Sequence, residues 1–141
     1  FVLDLAGFFE AIYKKQVEEL EQLGIAHFYG FQSDPRPFYT EADCVVLPSY
    51  HEGMSNVLLE AAATGRPVIT SNIPGCRESV ENGKSGLLVE VKNKEMLYQA
   101  MKKMLHCSRE EREKMGKAGR EKMKREFRKE AVVERTVRSL E

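Results

Sequence analysis

"CVVLPSYHEGMSNVLLEAAATGRPVITS", residues 44–71, decides the fold. It opens on the continuous apolar run "CVVL", which Pro48 ends, as expected of a strand buried on both faces. A polar loop follows, then a helical pattern from about Ser55 to Thr64, closed by Gly65 with Pro67 just beyond. "PVITS" (67–71) is again a β-branched run. Two apolar strands joined through a helix pair in parallel, because a parallel crossover needs a long connection.

The same alternation extends in both directions. Upstream, "FVLDLAG" (1–7) and "IAHFYG" (25–30) read as strands. Between them "EAIYKKQVEELEQLG" (10–24) carries Ile12, Val17, Leu20 and Leu23 at helical spacing and stops at Gly24. "DPRPFYTEA" (34–42) starts with Asp and Pro, a helix-start signal, and predicts a short helix. Downstream, the spacing predicts a short helix over "GCRESVENG" (75–83), a strand over "GLLVEV" (86–91) and an amphipathic helix over "NKEMLYQAMKKMLH" (93–106). Two further helical stretches, about 109–127 and 129–139, end the chain. The expectation is an α/β class, a doubly wound Rossmann-like parallel sheet with helices on both faces and extra C-terminal helices, forming one domain over 1–141. The chain opens directly on a strand with nothing ahead to cover the sheet edge, so a piece of a larger protein is expected.

Bulk properties narrow the class. At 42% hydrophobic and 31% charged residues, the composition is that of a soluble globular domain rather than a disordered or membrane-spanning chain. Cys44, Cys76 and Cys107 are odd in number and widely spaced, which predicts free thiols in a reducing cytosol and no zinc site. Charge is uneven: residues 109–138 hold 12 Lys/Arg against 7 Asp/Glu. A basic tail suits nucleic acid or an anionic membrane, yet "REEREKMGKAGREKMKREFRKE" interleaves its charges as a solvated, ion-paired helix does. We expect no nucleic-acid partner.

In a doubly wound sheet, ligands bind beyond the carboxyl ends of the strands, where loops enter helix N-termini. "PSYHEGMSN" is such a loop, with Ser55 as N-cap. The amides of Asn56, Val57 and Leu58 then lack intrahelical partners and, with the helix dipole, suit a phosphate. Gly53 lets the backbone approach a ligand closely. Glu52 precedes the helix, and Glu60 lies about 1.4 turns into it on the face of Ser55 and Asn56. Two carboxylates flanking an anion cradle fit a ligand with hydroxyls on both sides of a phosphate, as in a nucleotide sugar. The residues alone leave a plainer reading open: Glu60 as a partly exposed helix glutamate and Glu52 as an acid complementing the dipole. His51 is either a ligand contact or a loop residue. Phe31 either stacks a base or joins a satellite core. Cys76 reads as a packed thiol.

"HEGMSNVLLEAAATGRPVITSNIPGCRESVENGKSGLLV", with "FYGFQSD" and "ADCVVLPS" upstream, resembles the donor-binding region of glycosyltransferase family 4 over residues 1 to about 127. That family has the GT-B fold and carries two glutamates separated by seven residues, then a small-residue helix and Gly-x-Pro-Val. Here these are Glu52, Glu60 and "AAATGRPV". The resemblance implies retaining transfer of a hexose-type sugar from a nucleotide sugar, a UDP-sugar being the expected donor. Acceptors would be glycans or lipid-linked glycans of bacterial cell-surface polysaccharide synthesis. It implies that Glu52 acts at the donor sugar as the catalytic residue and that amides near Asn56 and Val57 bind the diphosphate. Glu60 would hold the ribose, Phe31 and Arg36 would occupy base-binding positions, and His51, Gly53, Met54 and Ser55 would line the donor loop. No cofactor and no metal are expected. The family's acceptor domain and its Gly-Arg…Lys-Gly segment would precede this chain, so the chain alone is expected to be inactive while binding nucleotide weakly. A cytoplasmic protein, peripheral to the inner face of the membrane, is expected. A non-catalytic nucleotide- or phosphate-binding module and a sugar-nucleotide epimerase are the alternatives.

Overall fold

A computed structural model describes residues 1–130, 132 and 138, and its chain divides into two units, Phe1–Pro35 and Arg36–Glu141. In the first unit, β1 (Leu3–Ala6) pairs in parallel with β2 (Ala26–Gly30). The connection is a 3-10 turn over Ala11–Tyr13 continued by helix α1 (Lys14–Gln22). The expected helix therefore begins later and tighter than its apolar spacing suggests. Glu21 on α1 accepts the Phe28 amide at 2.8 Å, tying the helix to the strand. The Phe9 ring meets Phe28 edge-on at 4.7 Å.

In the second unit, helix α2 (Arg36–Glu41) leads to a parallel sheet in the order β3 (Val45–Leu47), β4 (Val68–Ser71), β5 (Gly86–Val89). Helix α3 (Asn56–Ala63) connects β3 to β4, and helices α4 (Lys94–His106) and α5 (Arg109–Glu126) follow β5. Successive strand residues point to opposite faces, and both faces are covered. Val68 packs with Leu58, Ala61, Tyr39 and Cys76 from one side, joined by Val45, Leu47 and Leu88. Ile69 packs with Leu87, Val89, Ala100 and Met104 on the other, joined by Val46 and Met115. Two-sided burial is why these strands read as unbroken apolar runs. Burying a side chain such as Ile69 contributes roughly 2–3 kcal/mol.

The helix expected over 75–83 is a correction: a single 3-10 turn, Arg77–Ser79, forms instead. Gly75 is left-handed at φ +88°, and Val80 is extended, so the turn is cut at both ends. The next groups bond elsewhere: Ser85 Oγ accepts the Glu81 amide at 2.9 Å and Asn82 Oδ1 accepts the Leu88 amide at 3.0 Å. The expected helix over 129–139 lies for the most part outside the described residues.

Helix α5 begins with a capping box between Ser108 and Glu111. Several of its cations are paired: Arg109 with Glu113 at 2.8 Å, Lys122 with Glu126 at 2.5 Å, Arg125 with Glu81 at 2.9 Å and Arg112 with Asp43 at 3.2 Å. Interleaved charge here forms ion pairs along the helix and to the rest of the unit. No described helix is long and apolar enough to cross a membrane.

Helix α5 also crosses α3 at close range. A Cβ on Gly116 would stand 1.8 Å from the Gly65 carbonyl oxygen, an approach only glycine permits. At Gly119 the same atom would make ordinary contacts, 3.6 Å from Ser85 Cβ and 3.7 Å from Ala62 Cβ. Gly116→Ala is therefore expected to lower unfolding free energy by about 2–3 kcal/mol through overpacking. Gly119→Ala is expected to leave it level or raise it by up to about 1 kcal/mol through helix propensity. Urea unfolding of both variants checks the pair; equal effects would contradict the crossing geometry.

Candidate functional site

Three loops leave the carboxyl ends of β3, β4 and β5, and parallel pairing puts those ends on one rim. The first, residues 48–55, carries the predicted site. Its end is built as expected: Ser55 has an extended backbone and its hydroxyl oxygen accepts the Leu58 amide at 3.5 Å, beginning α3. Ser55 is buried while Asn56 and Val57 are exposed. Leu59 bonds back to the Ser55 carbonyl at 3.1 Å. The amides of Asn56 and Val57 have no protein acceptor among the described residues, which leaves the positive end of α3 open to solvent.

The second loop braces the first. Gly75 donates its amide to Glu78 Oε2 at 2.8 Å, and its carbonyl accepts the Ser55 amide at 3.1 Å. Its own Cα lies so close to the first loop that a Cβ there would meet Gly53 O at 1.5 Å and Glu52 O at 2.7 Å. Gly53 differs. Its φ lies outside the left-handed region, and a Cβ on it would meet nothing within 4 Å. The fold thus requires glycine at 75, whereas the space before Gly53 is open.

Glu52 is exposed and accepts a hydrogen bond from the Ser49 hydroxyl at 2.7 Å. Nothing in the sequence pattern singled out Ser49; its place three residues before Glu52 in a turn is the only signal. Beneath the loop, Thr70 Oγ1 donates to the Leu47 carbonyl at 2.8 Å and joins β3 to β4 at the rim. Cys76 is fully buried, and burial pushes its thiol up, partly offset by a hydrogen bond with Thr70, while the charges of Glu52 and Glu78 push it up further. Cys76 is a packed thiol.

Glu60 is exposed on α3 and faces Tyr39 of α2. The Tyr39 ring is buried with Leu58 and Ala61, and among the described residues its hydroxyl has no hydrogen-bond partner of ordinary length. Sequence reasoning missed Tyr39, because a contact across 21 positions leaves no local pattern. Arg36 is exposed at the first position of α2. His51 and Met54 are exposed on the loop with Glu52. Phe31 belongs to the other unit, where it stacks on Phe8 at 5.4 Å with rings 12° apart. So the structure gathers His51, Glu52, Gly53, Met54, Ser55, Asn56 and Val57 at one helix start, with Glu60 one turn further along. Among the described residues, no three His, Cys, Asp or Glu side chains converge as a metal-holding group.

Burial, then the negative charge of Glu60, holds the Tyr39 phenol near about 12 against an ordinary value of 10.0. A raised folded-state value favours the protonated form, so this stabilisation is present below about pH 10 and is lost as pH rises through about 12. Glu60→Gln is expected to lower the Tyr39 value without returning it to the ordinary one, since burial comes first. Titration of the Tyr39 ring carbon by NMR checks this, and an unchanged value would separate the two side chains.

The family model described as glycosyl transferases group 1 matches residues 1–122. A lipopolysaccharide core biosynthesis glycosyltransferase, LpsE of Rhizobium meliloti, is 30% identical over 120 residues, covering 85% of this chain and 35% of the relative. A capsular polysaccharide biosynthesis glycosyltransferase, CapM of Staphylococcus aureus, is 33% identical over 102 residues, covering 72% and 27%. The chain thus spans about a third of the length of these curated relatives. Among solved structures, HepE of Anabaena in complex with UDP superposes with a TM-score of 0.80 at 21% identity, over 99% of this chain and 40% of that one. Parallel sheets, helices on both faces and these neighbours are those of the GT-B glycosyltransferases. With most of its length matched, the chain belongs to the glycosyl transferases group 1 family.

Proposed function

We propose that this chain is the donor-binding portion of a retaining glycosyltransferase. It transfers a hexose-type sugar from a nucleotide sugar, a UDP-sugar, to a glycan or lipid-linked acceptor in bacterial cell-surface polysaccharide synthesis. The observation that carries the reading is the start of α3. Two amides without acceptors among the described residues stand between a carboxylate that precedes the helix and another one turn into it. The family membership, the names of LpsE and CapM and the UDP held by HepE support the same reading.

Each group then has a task that its chemistry suits. The amides of Asn56 and Val57 take phosphate oxygens, with the helix dipole favouring the negative charge. Glu52, steadied by Ser49, accepts hydroxyl hydrogens of the donor sugar beside the reacting carbon. Glu60 accepts those of the ribose, and the open space at Gly53 admits the ligand to the backbone. Arg36 contacts the base, and His51, Met54 and Ser55 line the donor loop. The sites need neither cofactor nor metal in this reading, since oriented amides and the helix dipole supply charge stabilisation to a departing diphosphate. The protein works in the cytoplasm, and Lys114, Lys117 and Arg120 of α5, which form no close ion pair among the described residues, aid contact with an anionic membrane face.

In a full-length transferase carrying this chain, Glu52→Gln is expected to lower kcat about a hundredfold while changing donor KM little. Glu60→Gln is expected to raise donor KM about tenfold at similar kcat, as the loss of a charged acceptor for hydroxyls does. Steady-state kinetics with the nucleotide sugar separates the two roles. Unchanged kinetics in both variants would end the roles given to Glu52 and Glu60, and weakened binding in a protein that never transfers sugar would favour a binding module.

A further inference from the structure

The third loop of the rim, residues 90–93, holds a feature that the donor reading does not use. Lys92 has φ +63°, and among the described residues it is the one non-glycine position with positive φ. A side chain in the left-handed region is costly, and glycine or asparagine is the ordinary occupant. Such a conformation persists where the surroundings over-determine it. Here the turn is pinned at both ends. Asn93 donates its amide to the Glu90 carbonyl at 3.2 Å and its side-chain nitrogen to Glu90 Oε2 at 3.1 Å. Its Oδ1 caps α4 by accepting the Met96 amide at 2.9 Å. On the strand side, the Val89 carbonyl accepts the Asn72 amide at 2.8 Å.

From this turn the Lys92 ammonium reaches over the Tyr50 ring, 5.6 Å from its centroid. Tyr50 lies between Ser49 and Glu52 in the first loop and is otherwise exposed. The three loops are therefore closed into a ring: 48–55 to 72–76 through Ser55 and Gly75, 72–76 to β5 through Asn72, and 90–93 back to 48–55 through Lys92 and Tyr50. The first two links are backbone hydrogen bonds, and the third is made by side chains.

We infer that Lys92 is a positioning residue. By holding Tyr50 from a strained turn, it fixes the segment that presents Glu52 at the start of α3. Glycine would serve the backbone better but would release the ring. Lysine's charge and length are what the position uses, and arginine supplies both.

Three variants of the full chain test this: Lys92→Gly, Lys92→Arg and Tyr50→Leu. In the ligand-free chain, 15N order parameters of residues 50–53 are expected to fall in Lys92→Gly and Tyr50→Leu and to return in Lys92→Arg. The thermal midpoint of Lys92→Gly should not fall below that of the parent, because the backbone is relieved. The affinity arm rests on the nucleotide reading above: UDP should bind about two- to fivefold more weakly to Lys92→Gly and near the parental value to Lys92→Arg. Unchanged order parameters in Lys92→Gly, or an equal loss in Lys92→Arg, would overturn the assignment. Failure of the parent chain to bind UDP would count against the nucleotide reading alone, and the order parameters would still decide the role of Lys92.

Discussion

Gly75 sets its backbone against the carbonyls of Glu52 and Gly53 at a distance that no side chain could enter, and accepts the Ser55 amide. Much of the site follows from that contact. It fixes where the first loop ends, so that Ser55 caps α3 and the next two amides face outward. It also holds Glu52 at the mouth of the helix, where Ser49 reaches it. Gly75 is itself held by the sheet. Val68 and Ile69 on β4 are buried from opposite sides, so the strand and the loop that leaves it at Ser71 have little freedom.

Acidic groups are numerous on this rim, with Glu52, Glu60 and Glu78 close to α3 or its bracing turn. For an anionic ligand that is an opposing field, and the attraction has to come from oriented amides and the helix dipole. The carboxylates then act as selectors. They accept hydrogen bonds and donate none, so they favour a ligand whose hydroxyls flank its phosphates over a bare anion. Glu52 and Glu60 are both exposed, and their bonds to a ligand strengthen once that ligand excludes water.

Much of this was legible in the residues. The run "CVVL" gave its strand because two-sided burial removes polar positions, and Ser55 gave the helix start because its oxygen must satisfy an amide. The segment 75–83 misled because Gly83 and a short apolar spacing imitate a helix. The structure instead spends the Glu81 and Gly83 amides on Ser85 Oγ and the Gly86 carbonyl, while Asn82 Oδ1 takes the Leu88 amide, partners visible only once the chain has folded back. Within the site, the positions of Glu52 and Glu60 followed from helical geometry. Tyr39 beside Glu60, Gly75 against Gly53 and Lys92 over Tyr50 did not, since each contact joins separate elements and leaves no periodic trace.

The central claim is that the open end of α3 binds the diphosphate of a nucleotide. Titration of the chain with UDP, followed by amide shifts, tests it most directly. The account predicts saturable shifts that are largest at Asn56 and Val57 and extend through Glu52 to Glu60, with UDP preferred over GDP and ADP. Shifts that spare residues 52–60, or no saturable binding, would contradict it.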